Sequence, residues 1–247
     1  MALIEAVNLT KIYGCGDTAV TALDHVHIKI EAGQFTAVMG PSGCGKSTLL
    51  NLLGALDRPS DGQVLIAGKS MEELSDDALA EMRRRKIGFV FQFYNLIPVL
   101  TAMENTALPL TLDGVPEEQA RQKATEWLQQ VGLGSRMTNQ PGQLSGGQQQ
   151  RVAVARALVA EPELILADEP TGNLDSRSAD EIAMLLRQVA NEWGRAVLMV
   201  THDAHVASYA DRILFLKDGA VLFDENRPES EAPGSTQWVS SLVQQVS

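Results

Sequence analysis

Gly40-Pro41-Ser42-Gly43-Cys44-Gly45-Lys46-Ser47 follows the apolar run Gln34-Phe35-Thr36-Ala37-Val38-Met39 and leads into Ser47-Thr48-Leu49-Leu50-Asn51-Leu52-Leu53. The apolar run reads as a buried strand and the last segment as a helix, which leaves the glycines in the loop between them. The spacing G-x-x-x-x-G-K-[ST] is that of a P-loop. Its backbone N–H groups, next to a helix N-terminus, form a nest for phosphate oxygens, and glycine lets the main chain approach the anion in conformations a Cβ would forbid. Lys46 is expected to reach the β- and γ-phosphates, and the Ser47 hydroxyl to ligate Mg²⁺.

Downstream, the apolar strand Leu164-Ile165-Leu166-Ala167 ends in Asp168-Glu169. Ligands of open α/β sheets sit at the C-terminal ends of strands, so both carboxylates are expected near the phosphates. Asp168 has the position of the acid that holds Mg²⁺, directly or through water; Glu169 has that of a group polarising the attacking water. Two more polar residues follow apolar strands. Gln92 offers an amide carbonyl to Mg²⁺ or to the lytic water, and His202 an imidazole able to donate toward the γ-phosphate.

A third element, Leu144-Ser145-Gly146-Gly147-Gln148, opens a helix expected from Gly146 to Ala160. The N–H groups and dipole at its start make a second anion-binding surface. The chain's own P-loop already holds one side of the phosphates, which leaves this surface in need of another use.

Composition narrows the function classes. The chain has 247 residues, 31 acidic against 20 basic, and a formal net charge of −11, so no global positive field attracts nucleic acid. The cluster Arg83-Arg84-Arg85-Lys86 lies near the end of an expected helix, where it either complements the dipole on a solvated face or forms a docking surface. Two cysteines, Cys15 and Cys44, make neither a disulfide framework nor a zinc site, and a reducing compartment fits. Cys44, inside the phosphate loop, is either a thiol with lowered pKa or a tolerated small side chain. The start Met1-Ala2-Leu3-Ile4-Glu5 lacks the features of a signal peptide, and the uncharged stretch from Ile87 to Met103 falls short of a spanning helix.

The first third reads as an antiparallel sheet, with alternation in His25-Val26-His27-Ile28-Lys29-Ile30 and a turn at Asp61-Gly62. From about Ser75 to Gly142 the pattern is helical, with Ala120, Ala124, Trp127, Leu128 and Val131 on one face. Beyond Pro162, strands and helices alternate up to a hairpin at Asp218-Gly219, which predicts a parallel sheet covered on both faces. Asp224 to Pro233 reads as a linker, and Trp238, Leu242, Val243 and Val246 line a short terminal helix that either packs on the same subunit or docks elsewhere.

The fixed order of these elements resembles the ATP-binding cassette (ABC) ATPases, the nucleotide-binding subunits of ABC transporters. The likeness covers residues 3–223 as one domain, leaving 224–247 as linker and tail. It implies an α/β P-loop NTPase fold with a RecA-like mixed sheet, an N-terminal antiparallel β subdomain and a helical subdomain at about 93–160. It implies ATP and Mg²⁺ as ligands, bound through Tyr13 as adenine platform, Gly40, Pro41, Ser42, Gly43, Cys44, Gly45, Lys46, Ser47 and Thr48 as P-loop, and Asp175 in the D-loop. The metal set is then Ser47, Gln92 and Asp168, and the catalytic set Glu169, His202, Gln92 and Lys46. Two copies would close head to tail, each ATP lying between one subunit's Lys46 and the signature residues Ser145, Gly146, Gly147 and Gln148 of the other.

Ile87-Gly88-Phe89-Val90-Phe91-Gln92, Asn95-Leu96-Ile97-Pro98 and Gln148-Gln149-Gln150-Arg151-Val152 resemble the lipoprotein-releasing and macrolide-export branch, as does Ala167-Asp168-Glu169-Pro170-Thr171-Gly172-Asn173-Leu174-Asp175. This implies a peripheral protein at the cytoplasmic face of a bacterial inner membrane. It would work on a separate membrane permease docked near residues 92–100, in export or extraction of a lipoprotein, lipid, macrolide or peptide. The apolar segment Phe93 to Leu100 is expected either to form that groove or to pack inside the helical half. A regulatory protein that controls a cell-wall hydrolase through a non-transporting membrane partner would share the same catalytic residues. Nucleic acid is disfavoured as a partner by the acidic charge.

Overall fold

Alternating apolar and polar residues at the start of the chain build a small sheet, and the continuous apolar runs that follow build a larger one. The computed structural model describes residues 2–66 and 68–244. In chain order the first half contains β1 (Ala2–Tyr13), β2 (Val20–Glu31), β3 (Phe35–Met39), α1 (Lys46–Leu53), β4 (Asp61–Ile66), β5 (Lys69–Ser70), α2 (Asp76–Lys86), β6 (Ile87–Phe91) and α3 (Ala102–Leu112). The second half contains α4 (Glu117–Gln130), α5 (Gly146–Leu158), β7 (Leu164–Asp168), α6 (Ser176–Asn191), β8 (Ala196–Val200), α7 (Ala204–Ala207), β9 (Arg212–Lys217), β10 (Ala220–Asn226) and α8 (Gln237–Gln244).

The small sheet has the order β2-β1-β4-β5 and is antiparallel. The large one has the order β10-β9-β3-β8-β7-β6; β9 to β6 run parallel and β10 closes one edge antiparallel. All five residues of β3 are buried, as required of a strand covered on both faces. Phe35, Ala37 and Met39 enter one core with α5 and α6, and Val38 enters the other with α1 and the small sheet. A third cluster of Ala107, Leu110, Ala120, Ala124 and Val159 holds α3, α4 and α5 together as the helical layer. The expected α/β architecture, with its antiparallel and helical parts, is therefore present.

Several local readings need correction. The helical stretch from Ser75 to Gly142 is interrupted by β6, because Ile-Gly-Phe-Val-Phe is a short apolar run whose periodicity does not separate a strand from a buried helix. Asp61-Gly62 lies inside β4 rather than in a turn; Gly62 has φ +79°, and a Cβ there would stand 2.1 Å from Asn8 O. The linker starts late and is tied down. β10 continues to Asn226, Arg227 N donates to Asp211 O at 2.8 Å, and Gly234 N donates to Ser208 O at 3.1 Å. In α8, Trp238 and Val239 are buried and Leu242 and Val243 pack against the same core, while Val246 lies outside the described residues.

In α4, Ala120, Ala124 and Leu128 are buried, and Trp127 meets the edge of Trp193 with centroids 5.0 Å apart. The basic cluster closes α2: Arg83 donates to Ala55 O, Arg84 pairs with Asp113, Arg85 with Glu81 and Lys86 with Glu163. Among the described residues, no helix is long and apolar enough to cross a membrane.

Candidate nucleotide site

The C-terminal ends of β3, β7 and β8 bring the expected residues together. β3 runs into the glycine loop, which takes left-handed or extended positive φ at Gly40, Gly43 and Gly45 (149°, 79° and 105°). Space as well as dihedral demands glycine at two of them. A Cβ on Gly40 would lie 2.1 Å from Leu216 O, and one on Gly45 would lie 2.3 Å from Ala22 O. Gly45 starts α1 without any side-chain cap, which leaves the first helical N–H groups directed at the cleft.

A cleft of about 370 Å³ is lined by Tyr13, Ser42, Gly43, Gly45, Lys46, Ser47, Thr48, Glu169 and His202, together with Ala22 and Val200. Lys46 is buried, and its ammonium donates to Gly40 O at 2.9 Å and Pro41 O at 2.8 Å. Cys44 is also buried, with Sγ 3.8 Å from Lys46 Nζ; Cys15 is exposed. Ala22 and Val200 carry no polar group, and nothing in the sequence marks them as lining residues.

At the end of β7, Ser47 Oγ donates to Asp168 Oδ1 at 3.2 Å. Burial pushes the Asp168 carboxyl above its ordinary pKa; the Ser47 hydrogen bond and the charge of Lys46 oppose the rise, and the charge of Glu169 adds to it. A hydroxyl and a carboxylate facing each other supply the hard oxygen donors Mg²⁺ prefers, so the residues present fit that ion.

Glu169 has φ +46°, an uncommon conformation for a side chain of this type that costs about 1–2 kcal/mol. It is fixed by hydrogen bonds from its N–H to Val200 O (3.0 Å) and from Gly172 N to its own carbonyl (3.1 Å). The turn swings its carboxylate to His202, whose Nδ1 lies 2.9 and 3.0 Å from the two oxygens. An ionised carboxylate only accepts, so Nδ1 carries the hydrogen in this pair.

Gln92 follows β6, whose last residue Phe91 pairs in register with Asp168. Its Nε2 donates to Asn173 Oδ1 at 3.4 Å, and Asn173 Nδ2 donates back to Gln92 O at 3.1 Å. Gly172 makes room for this side chain, since a Cβ there would stand 2.7 Å from Gln92 Nε2. Gln92 therefore borders the cleft without lining it.

Ser145, Gly146, Gly147, Gln148 and Asp175 lie elsewhere. Ser145 caps α5 through a reciprocal box: its Oγ accepts from Gln148 N at 3.3 Å, and Gln148 Oε1 accepts from Ser145 N at 3.0 Å. Asp175 caps α6 by accepting from Ser178 N (3.0 Å) and Ser178 Oγ (2.8 Å). These bonds hold its carboxyl below the usual range. The two helix starts abut, with Gly147 against Ser178 and Gly146 against Leu174 and Tyr94. Gln150, buried in α5, donates to Phe91 O at 3.3 Å and ties this surface to the strand that precedes Gln92.

Comparison with known proteins gives the chain its relatives. The family model "ABC transporter" matches residues 23–172. The chain is 48% identical over 223 residues to the lipoprotein-releasing system ATP-binding protein LolD of Geobacter metallireducens, covering 90% of this chain and 99% of that protein. It is 48% identical over 236 residues to the macrolide export ATP-binding/permease protein MacB of Hyphomonas neptunium, covering 96% of this chain and 36% of that protein. The chain thus spans about a third of the length of the MacB relatives it matches. Among solved structures, the cassette MJ0796 in a dimeric post-hydrolysis state bound to ADP and Pi superposes with a TM-score of 0.82 at 47% identity, covering 91% of this chain and 99% of that one.

Proposed function

The chain belongs to the ABC transporter family and is an ATPase of the LolD and MacB type, and we propose that two copies close head to tail over two ATP molecules to work an integral-membrane permease. One observation carries this reading: the phosphate loop and the capped signature helix both present anion-binding groups, yet on surfaces one chain does not bring together. The dimeric state of the relative MJ0796 supports it.

In the proposed cycle Tyr13 stacks on the base, the Gly40–Thr48 loop and Lys46 bind the phosphates, and the partner copy's signature surface closes over them. Glu169 accepts the proton of the attacking water, while His202 holds the carboxylate through its Nδ1–H and, when the ring is doubly protonated, donates to the γ-phosphate through Nε2. Ser47, Asp168 and Gln92 would hold Mg²⁺, which supplies charge neutralisation on the phosphates. Removing the γ-phosphate removes the shared contact between copies, so hydrolysis separates them.

The proposed docking surface lies at residues 92–100, where Phe93 is 72% and Val99 74% exposed. Asn105 holds the loop by accepting from Ile97 N (2.7 Å) and donating to Ile97 O, Leu100 O and Thr101 O. Next to it an apolar groove of about 410 Å³ runs between Phe89, Phe91, Leu108, Pro109 and Leu112. The work done would be export or extraction of a hydrophobic substrate at the inner face of a bacterial membrane. Co-purification of the tagged chain from detergent-solubilised membranes tests this: a permease should follow the wild type, and ATP hydrolysis in that complex should exceed that of the chain alone.

A further inference from the structure

Tyr13 is braced from behind by residues that the proposed cycle leaves unused. Its hydroxyl donates to Asp57 Oδ2 at 3.0 Å. Lys11 Nζ donates to Asp57 Oδ1 and to Arg58 O, each at 2.7 Å, and stands 4.9 Å from the centroid of the Tyr13 ring. Arg58 N–H adds the third bond to the Asp57 carboxylate, donating to Oδ1, again at 2.7 Å. Lys11 and Tyr13 alternate with Ile12 on β1 and so share a face of the strand.

The cluster is more than a surface ion pair, because the Lys11 side chain is only 12% exposed. Burial by itself would raise the Asp57 carboxyl. The bonds from Lys11, Arg58 N and Tyr13, with the charge of Lys11, outweigh burial and hold it below its ordinary value.

Asp57 stands just beyond the C-terminal end of α1, the helix that begins with Lys46 and Ser47. The turn between them is fixed by Gly54 N to Leu50 O (2.9 Å), Ala55 N to Leu52 O (3.1 Å) and Leu56 N to Asn51 O (2.8 Å). A bond from Tyr13 to Asp57 is therefore a bond from the aromatic platform to the helix whose other end holds phosphate. Lys11 takes one side of the ring by a cation–π contact, and Tyr13 remains 42% exposed and lines the cleft with Gly43, Lys46 and Ser47.

We infer that Asp57, backed by Lys11, is a positioning residue that sets the Tyr13 ring at a fixed distance and angle from the phosphate loop, so that the cleft favours a polyphosphate carrying a planar base over the bare polyphosphate. The inference rests on the reading of Tyr13 as base platform. Asp57 touches no ligand atom in this scheme and acts only through the ring.

The test compares affinities for ATP and for inorganic tripolyphosphate by calorimetry on the full chain, in wild type, Tyr13→Ala, Asp57→Ala and the near-isosteric Asp57→Asn. Both Asp57 variants should lower the preference for ATP over tripolyphosphate by about three- to tenfold, the effect of losing one hydrogen bond and its aligned ring, and Tyr13→Ala by at least as much. Tripolyphosphate affinity should stay at the wild-type level and serve as the check on folding. If both ligands weaken together in the Asp57 variants, Asp57 merely supports α1 and the inference is wrong. It is equally wrong if Tyr13→Ala loses the preference and the Asp57 variants keep it. If Tyr13→Ala keeps the preference, the platform reading fails and the brace fails with it.

Discussion

Lys46 and Ser145 both stand at the start of a helix, but the two helix starts are finished differently. α1 begins at a left-handed glycine with no side-chain cap, so its N–H groups are left for an anion. α5 begins with a complete capping box, in which Ser145 Oγ accepts from Gln148 N and keeps its own hydrogen free to donate outward. Around Lys46 the cleft is closed by Glu169, His202 and Tyr13 from three other elements, whereas Ser145 is exposed and is not among the residues that line the cleft. The contrast separates a cleft lined by several elements from an exposed capped helix start, which in the proposed dimer would complete a neighbour's site.

The largest effect is expected at Glu169. Replacing it with Gln removes the proton acceptor while keeping the hydrogen bond to His202, so hydrolysis should fall by a factor of about a hundred or more. ATP binding should persist, and light scattering with ATP should report a stable dimer; a monomer with undiminished turnover would remove Glu169 from the cleft's chemistry. Next comes the docking segment. Phe93→Asp with Val99→Asp should abolish co-purification of the permease with no change in Tm, because both side chains are in solvent. Leu96→Asp should lower the Tm, because Leu96 packs against the main core. Equal Tm losses in all these variants would show that the whole segment is structural.

A smaller effect concerns Asp168. Its folded pKa is raised, so the folded state holds the proton more tightly than the unfolded chain does. Ionisation therefore costs stability, and this cost appears as the pH rises from the unfolded pKa through the folded one. In the ligand-free chain at neutral pH, Asp168→Asn should raise the Tm slightly and flatten its decline across that window. It should also remove the Tm gain that added Mg²⁺ with ATP gives the wild type. A variant less stable than wild type at neutral pH would contradict the burial argument.

Legibility in the sequence followed how local each feature is. The phosphate loop and the Asp168-Glu169 strand end are short strings whose spacing carries their geometry, and both lie in the cleft or against it. The left-handed turn at Glu169 that aims its carboxylate at His202 depends on a hydrogen bond to Val200, which no local string encodes. The contact of Tyr13 with Asp57 spans 44 positions and joins a strand of one sheet to the turn after α1, so it was invisible before folding. The strand Ile87–Phe91 does not stand out from the helical stretch around it, because five apolar residues show no decisive period. Asp224 to Pro233 reads as a linker on its charge and prolines, whereas the backbone bonds of Arg227 and Gly234 anchor it.

Mixing two inactive variants tests the shared site most directly. Lys46→Ala spoils a copy's phosphate loop and Ser145→Arg spoils its signature surface. In a head-to-tail pair of one of each, one site keeps an intact loop from one copy and an intact signature from the other. An equimolar mixture should therefore regain up to about a quarter of wild-type ATP hydrolysis, because half the dimers are mixed and each has one of two sites whole. Hydrolysis that stays at the level of the separate variants at every mixing ratio, or a Ser145→Arg protein that turns over ATP at the wild-type rate alone, would contradict a site shared between copies.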